Sequence, residues 1–189
     1  MTELEKYITT TMGVAEDDVQ RIASFFQPIT LLKGEYFLKA GRMSERLAFV
    51  QEGILREYVA RDEQEVTKWI CTKGYFVVDL SAFIFRKPAR FNLQALTDVE
   101  LHVIDAANYK RIGEVLPDWN ELEKRFITRC FSALEDRVLM HLSMTAAERY
   151  DLVFAQRREL FNHVPLHYLA SMLGMTPETL SRLRARAAT

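Results

Sequence analysis

Close to the end of this 189-residue chain, Glu178, Thr179, Ser181, Arg182 and Arg184 crowd into one short run, PETLSRLR. Their types suit one chemistry, hydrogen bonding to the edges of heterocycles and to the anions beside them. An arginine fork fits the paired acceptors O6 and N7 of guanine. A carboxylate accepts from the cytosine amino group, and a hydroxyl can take either role. On this reading Arg182 addresses guanine, Glu178 addresses cytosine, and Thr179 reaches a base edge or a phosphate. Leu180 and Leu183 interrupt the polar residues at helical spacing, so the run has a dry side and a wet side.

The element that must position these residues is Leu166–Leu183, LHYLASMLGMTPETLSRL. Leu169, Ala170 and Leu173 make an apolar stripe on a first short helix. Gly174 stands where a helix ends in the left-handed region. Thr176 is a good N-cap, and Pro177 a good first residue, for a second helix. Ala170 is small enough to let the two helices cross. The stretch resembles a DNA-binding helix-turn-helix, in which the N-terminal half of the second helix lies in the major groove. Thr176, Glu178, Thr179, Ser181, Arg182 and Arg184 are therefore the expected DNA contacts. The competing reading is an ordinary pair of helices whose polar residues face water.

The formal net charge is only −1, but its distribution is uneven. From Arg137 onward seven arginines face four acids, so the segment before it is acidic. A basic end on an acidic body suits a protein that binds nucleic acid with one end. No apolar run approaches the roughly 20 residues that span a bilayer, and no signal peptide is visible at the N-terminus. Cys71 and Cys130 stand far apart, outside any paired-cysteine motif, and are expected to be small buried residues. A cytoplasmic protein without membrane contact is expected. There is no nucleophile–base pair, metal-ligand spacing or phosphate-binding glycine loop, so an enzyme is not expected.

Upstream, residues 3–26 carry helical patterning that Pro28 ends. From Ile29 to Ile104 the pattern changes to short apolar runs punctuated by Gly34, Gly41, Gly53 and Gly74, which predicts six to eight strands in a small antiparallel barrel or roll. Phe49-Val50 and the alternating Ile54, Arg56, Tyr58 and Ala60 predict a hairpin around Gln51-Glu52-Gly53. Asp118 to Met144 reads as one long helix with apolar residues Trp119, Leu122, Phe126, Ile127, Cys130, Leu134, Val138, His141 and Leu142 at spacings of three and four. Thr145 and Glu148 match a capping box. A helix through Tyr150, Val153, Leu160 and Phe161 follows, from which Arg157 and Arg158 are expected to reach backbone phosphates.

The segments LLKGEYFLKAG, LAFVQEGILREY and KGYFVVDL resemble the β-roll of cyclic-nucleotide-binding domains. Followed by a helix-turn-helix, they make the chain similar to bacterial transcription regulators of the CRP/FNR type. The resemblance implies an α+β fold in three parts: N-terminal helices and a jelly-roll sensor-like domain over 1–116, a long dimerisation helix over 117–144, and a helix-turn-helix domain over 145–189. No β-hairpin wing is expected beside the helix pair. The implied partners are a double-stranded DNA operator, a second copy of the chain, RNA polymerase and a small-molecule effector.

In that family a cassette between two roll strands binds the cyclic nucleotide through a Gly-Glu pair and an Arg followed by Ser or Thr. Residues 78–92, VDLSAFIFRKPARFN, depart from it. Val78 replaces the glycine, Asp79 stands for the glutamate, and Ala89 and Arg90 fall where Arg and Ser/Thr belong. An arginine displaced by one residue along an extended segment points to the opposite face. Asp79, Leu80, Ser81, Arg86, Lys87 and Arg90 are the candidate effector residues. Three alternatives stand: cAMP in the usual manner, a different small molecule such as an anion in the same pocket, or no effector. A second functional reading is a ligand sensor that acts through protein contacts. The cysteine-cluster iron–sulfur site of some relatives has no counterpart, and His102 reads as structural rather than as a haem ligand.

Overall fold

A computed structural model describes residues 1–62 and 64–187, so the last two residues of the expected third domain lie outside it. Thr2 opens helix α1 (Glu3–Tyr7) with a capping box to Glu5. A π-helical turn, Ile8–Met12, ends at Gly13, and α2 (Glu16–Ala23) follows. The single helical region expected over 3–26 is thus broken, because Gly13 is left-handed (φ 76°) and Ala15 is extended. Pro28 lies within the first strand, on its exposed side.

Among the described residues, eight strands build two four-stranded antiparallel sheets. β1 (Gln27–Leu31), β8 (Val99–Asp105), β3 (Arg46–Glu52) and β6 (Phe76–Val77) form one, in that order. β2 (Tyr36–Leu38), β7 (Asn92–Ala95), β4 (Leu55–Arg61) and β5 (Gln64–Cys71) form the other. Phe37, Val50, Leu55, Phe91, Leu93 and Leu101 are among the apolar side chains that fill the space between them. The expected hairpin around Gln51-Glu52-Gly53 is not formed: β3 and β4 belong to different sheets, and the turn is a corner. Gly53 is required there, since φ is +93° and a Cβ would meet Asp98 O at 2.4 Å and Val99 Cα at 2.9 Å, both backbone atoms. The true hairpin is β4–β5, paired from Leu55↔Cys71 to Arg61↔Gln64. The pairing skips Lys68, a bulge in β5, and Leu55, Arg56, Glu57 and Tyr58 are all buried because both faces of β4 are covered: Leu55 packs inside the roll and Arg56, on the other face, lies against Tyr168 of the C-terminal part.

Asp79 caps helix α3 (Leu80–Phe85), which sits between β6 and β7, and Asp105 caps α4 (Ala106–Val115). The long helix α5 (Trp119–Ser143) follows. Its first turns bury Trp119, Leu122 and Phe126 against α1, α2 and the first sheet. Farther along, Ile127, Phe131, Leu134, Val138, Leu139 and Leu142 are exposed on one side, while Arg137 and Met140 on the other still meet the roll. Cys71 is buried as expected, with its thiol pushed up to about 12 by burial. Cys130 is exposed, contrary to expectation, because it lies on this exposed side of α5.

The C-terminal part, here called the head, contains α6 (Ala146–Gln156), α7 (Leu160–His163), α8 (Leu166–Met172) and α9 (Pro177–Ala187). The Thr145–Glu148 capping box is formed: Thr145 N donates to Glu148 Oε2 at 2.7 Å and Glu148 N to Thr145 Oγ1 at 3.3 Å. The helix expected to run through Phe161 stops at Arg157, whose backbone leaves the helical region (φ −143°, ψ 49°). Among the described residues no strand follows β8. No helix is long and apolar enough to cross a membrane, and no cluster of potential metal ligands is present, among the described residues.

Candidate functional site

The turn between α8 and α9 is built as its residues dictate. Gly174 is left-handed (φ +64°). Met175 N donates to Ala170 O at 3.0 Å and Gly174 N to Ser171 O at 3.1 Å, the paired bonds of a Schellman ending. Thr176 Oγ1 accepts from Thr179 N at 3.3 Å and so caps α9. Leu169, Ala170, Leu173 and Leu180 are buried, locking α9 across α8, with Met175 and Leu183 packed beside them.

Around α9, Glu178, Ser181 and Arg182 share the outer face, with Thr179 at its border, whereas Arg184 follows buried Leu180 by four residues and lies on the side toward Tyr150. Glu178, Ser181, Arg182 and Arg184 are exposed and Thr179 is half-buried. Arg182 Nη2 lies 3.4 Å from Thr179 Oγ1, so guanidinium and hydroxyl stand side by side. The Glu178 carboxyl is held below its ordinary range by hydrogen bonds at the helix start, so it is a ready acceptor. Thr176 is spent on the cap.

The two arginines expected at phosphates have separate fates. Arg158 is exposed, over the Phe154 ring at 5.3 Å. Arg157 is only 8% exposed and turns into the body, where Nη2 donates to Ile70 O at 2.9 Å and Thr72 Oγ1 at 3.1 Å. Its place is the joint between head and roll, away from the outer face of α9.

In the cassette, Asp79 and Arg90 come together, although Arg90 is displaced by one residue from the family pattern. Asp79 is fully buried and accepts four bonds. Ala82 N donates at 3.3 Å, Arg90 N at 2.9 Å, Arg90 Nε at 3.0 Å and Arg90 Nη2 at 2.8 Å. Burial alone would raise this carboxyl, but the bonds from Arg90 and Ala82 outweigh it and hold it below the ordinary aspartate range. Ala89 takes the inward position and is buried. Leu80 and Ser81 are half-buried in the first turn of α3. Arg86 and Lys87 are exposed beyond the far end of α3. Arg86, in the left-handed region at φ 51°, lines a surface cleft with Tyr109, Asn120 and Glu123. Of the three basic residues grouped from the sequence, Arg90 alone is bonded to Asp79.

A second charged group inside the roll was not legible in the sequence. Glu57 is buried and paired with Lys68, whose Nζ lies 4.2 Å from the centre of the Phe91 ring. Burial pushes the Glu57 carboxyl up, and Lys68 pulls it back. Arg137, from α5, donates to Lys68 O. Glu57 is inward by the ordinary alternation of β4, two residues from Leu55 and from Val59, and a charged residue at that position gives no local sign of facing the core.

Residues 28–114 match the family model described as the cyclic nucleotide-binding domain. The match covers the roll, which the long helix α5 and the four-helix head follow. The chain is similar in fold to FixK2 from Bradyrhizobium japonicum, with TM-score 0.72 and 18% identity over 86% of this chain and 84% of that one. It is also similar to the catabolite activator protein of Thermus thermophilus, with TM-score 0.58 and 21% identity over 93% and 84%. A third similar structure is CLP from Xanthomonas campestris, described as a c-di-GMP-responsive global regulator, with TM-score 0.67 and 14% identity over 92% of each chain. No curated protein sequence matches the chain significantly.

Proposed function

We propose that this protein is a homodimeric, sequence-specific DNA-binding transcription regulator. The observation that carries the reading is the face of α9. Glu178, Ser181 and Arg182 project outward while Leu180 is buried against α8, so base-reading side chains are presented on a helix that cannot roll. The basic bias of the head supplies attraction to phosphate independent of sequence. Similarity in fold to regulators of the catabolite-activator type supports the same reading.

Dimerisation rests on α5. Ile127, Phe131, Leu134 and Val138 follow the alternating four–three spacing of a two-helix seam, and all four are exposed. A two-fold partner laid along this stripe would cover it and set two heads about one helical turn of DNA apart, roughly 34 Å.

An effector in the roll is the finer part of the proposal. Arg90 already has a carboxylate and Lys68 already has Glu57, so an anionic effector must compete with two internal carboxylates for its cations. This argues against cAMP held in the family's usual manner and favours either a different ligand or none.

Fluorescence anisotropy with random duplex DNA, followed by operators enriched from a random pool, tests DNA binding. The expected result is binding that falls steeply with salt and an operator with two related half-sites. Light scattering should give twice the chain mass. A monomer that ignores DNA at low salt would refute the proposal.

A further inference from the structure

Outside the roll, three helices converge on a surface cleft of about 320 Å³. Ile84 and Arg86 line it from the end of α3, Tyr109 and Lys110 from α4, and Trp119 and Asn120 from the start of α5. Its size and its mixture of aromatic and polar lining are those of a small-molecule site.

The inner wall is aromatic. Phe83 stands edge-on to Tyr109 at 5.4 Å between ring centres, and Tyr109 edge-on to Trp119 at 5.5 Å. Gly113 lies inside α4, where glycine is otherwise unfavourable. The indole explains it, since a Cβ there would meet Trp119 Cδ1 at 3.1 Å. Behind Tyr109 and Trp119 is an apolar cavity of about 20 Å³, closed on its far side by Met12, Phe76 and Phe126. The two rings thus separate the cleft from an internal void, and the wall has room to yield to a ligand.

The rim is cationic. Arg86 and Lys110 are both exposed, and among the described residues neither is in an ion pair. Glu123, the carboxylate of the cleft, is tied to the wall by the Tyr109 hydroxyl, which donates to it at 2.8 Å. Two cations against one carboxylate leave the cleft at +1. Arg86 is also held in the left-handed region, at φ 51°, where glycine or asparagine is more at ease. Neither of those residues would supply a guanidinium at the mouth of the cleft.

We propose that this cleft binds a small aromatic anion of the aryl carboxylate class. The ring lies against the Tyr109–Trp119 wall in the edge-to-face manner aromatic pairs prefer. The carboxylate is met by Arg86 and Lys110, with the Asn120 amide as a further donor. The site is separate from the roll interior, where Arg90 and Lys68 already hold carboxylates, and it stands whether or not the head reads DNA.

Benzoate titrated into the full chain tests the proposal. Trp69 and Trp119 are the two tryptophans, so in a Trp69→Phe background the emission reports the cleft. The expected result is a saturable change in Trp119 emission, and one site per chain by calorimetry on the wild type. Benzyl alcohol, which keeps the ring and lacks the charge, should bind about tenfold more weakly. Arg86→Asn keeps the left-handed turn and should weaken benzoate binding about tenfold, with far-UV circular dichroism unchanged and Tm no lower. Arg111→Gln removes a neighbouring α4 cation outside the cleft and should leave benzoate affinity unchanged. Trp119 emission that does not respond to millimolar benzoate would overturn the proposal. So would equal affinity for benzoate and benzyl alcohol, wild-type affinity in Arg86→Asn, or an equal loss in Arg86→Asn and Arg111→Gln.

Discussion

The Asp79–Arg90 pair allows a quantitative test of the cassette. Asp79 is fully buried, whereas the side chain of Arg90 is 66% exposed, so the two ends of the bond respond differently to truncation. Asp79→Ala removes the N-cap of α3, at a cost of about 1 kcal/mol. It also strands the amide of Arg90, which now donates to Asp79 Oδ2, at a further cost of about 2 kcal/mol. The expected total is about 3 kcal/mol, or roughly 6–12 °C in Tm for a chain of this size. Arg90→Ala should cost about 2 kcal/mol, because the carboxylate it leaves keeps two backbone amides and gains water through the opened surface. With the carboxylate gone, the guanidinium has nothing left to neutralise. The double variant should therefore fall short of the sum of the singles by about 1–2 kcal/mol. Urea unfolding of the four proteins, followed by far-UV circular dichroism, measures this cycle. The pH dependence gives an independent check. The carboxyl lies below its ordinary range when folded, so its contribution is complete above the ordinary aspartate pKa of about 4 and is lost as pH falls through the folded value. The gap between the wild type and Asp79→Asn should be constant from about pH 5 to 7 and close only in acid. Additivity within about 0.5 kcal/mol, or a gap that widens in acid, would refute the reasoning.

Arg182→Ala should cost about 1–3 kcal/mol on a selected operator and relax one base position. Equal loss on operator and random DNA, by anisotropy, would count against base reading. Leu134→Glu/Val138→Glu places four carboxylates in a two-helix seam and should shift the protein to monomer by light scattering, with unchanged helicity by circular dichroism. Gly174→Ala forces a side chain into φ +64°, with a Cβ 3.2 Å from His141 Nδ1, and should destabilise the head by about 1–2 kcal/mol in thermal unfolding.

The sequence by itself determined the local chemistry. The Leu169, Ala170, Leu173 and Leu180 stripe, left-handed Gly174 and the Thr176 cap specify the α8–α9 pair through contacts within twenty residues. The Thr145–Glu148 box and the strand-like texture of Ile29–Ile104 were legible for the same reason. Tertiary structure decided whatever depends on which strand lies beside which. Gly53 reads as a hairpin glycine until Asp98 O is found where its Cβ would be, which makes the turn a corner between sheets. Arg90 looks misplaced beside Ala89, yet its backbone amide and guanidinium both reach Asp79, eleven residues earlier. Arg157 reads as a surface cation on a basic helix, but it caps a strand edge more than eighty residues upstream. Helical spacing and capping are short-range and repeat along the chain, so they leave a pattern. A strand edge that needs a donor, or a buried carboxylate that needs a cation, is satisfied by whichever residue the fold brings near, and a single arginine carries no mark of its partner.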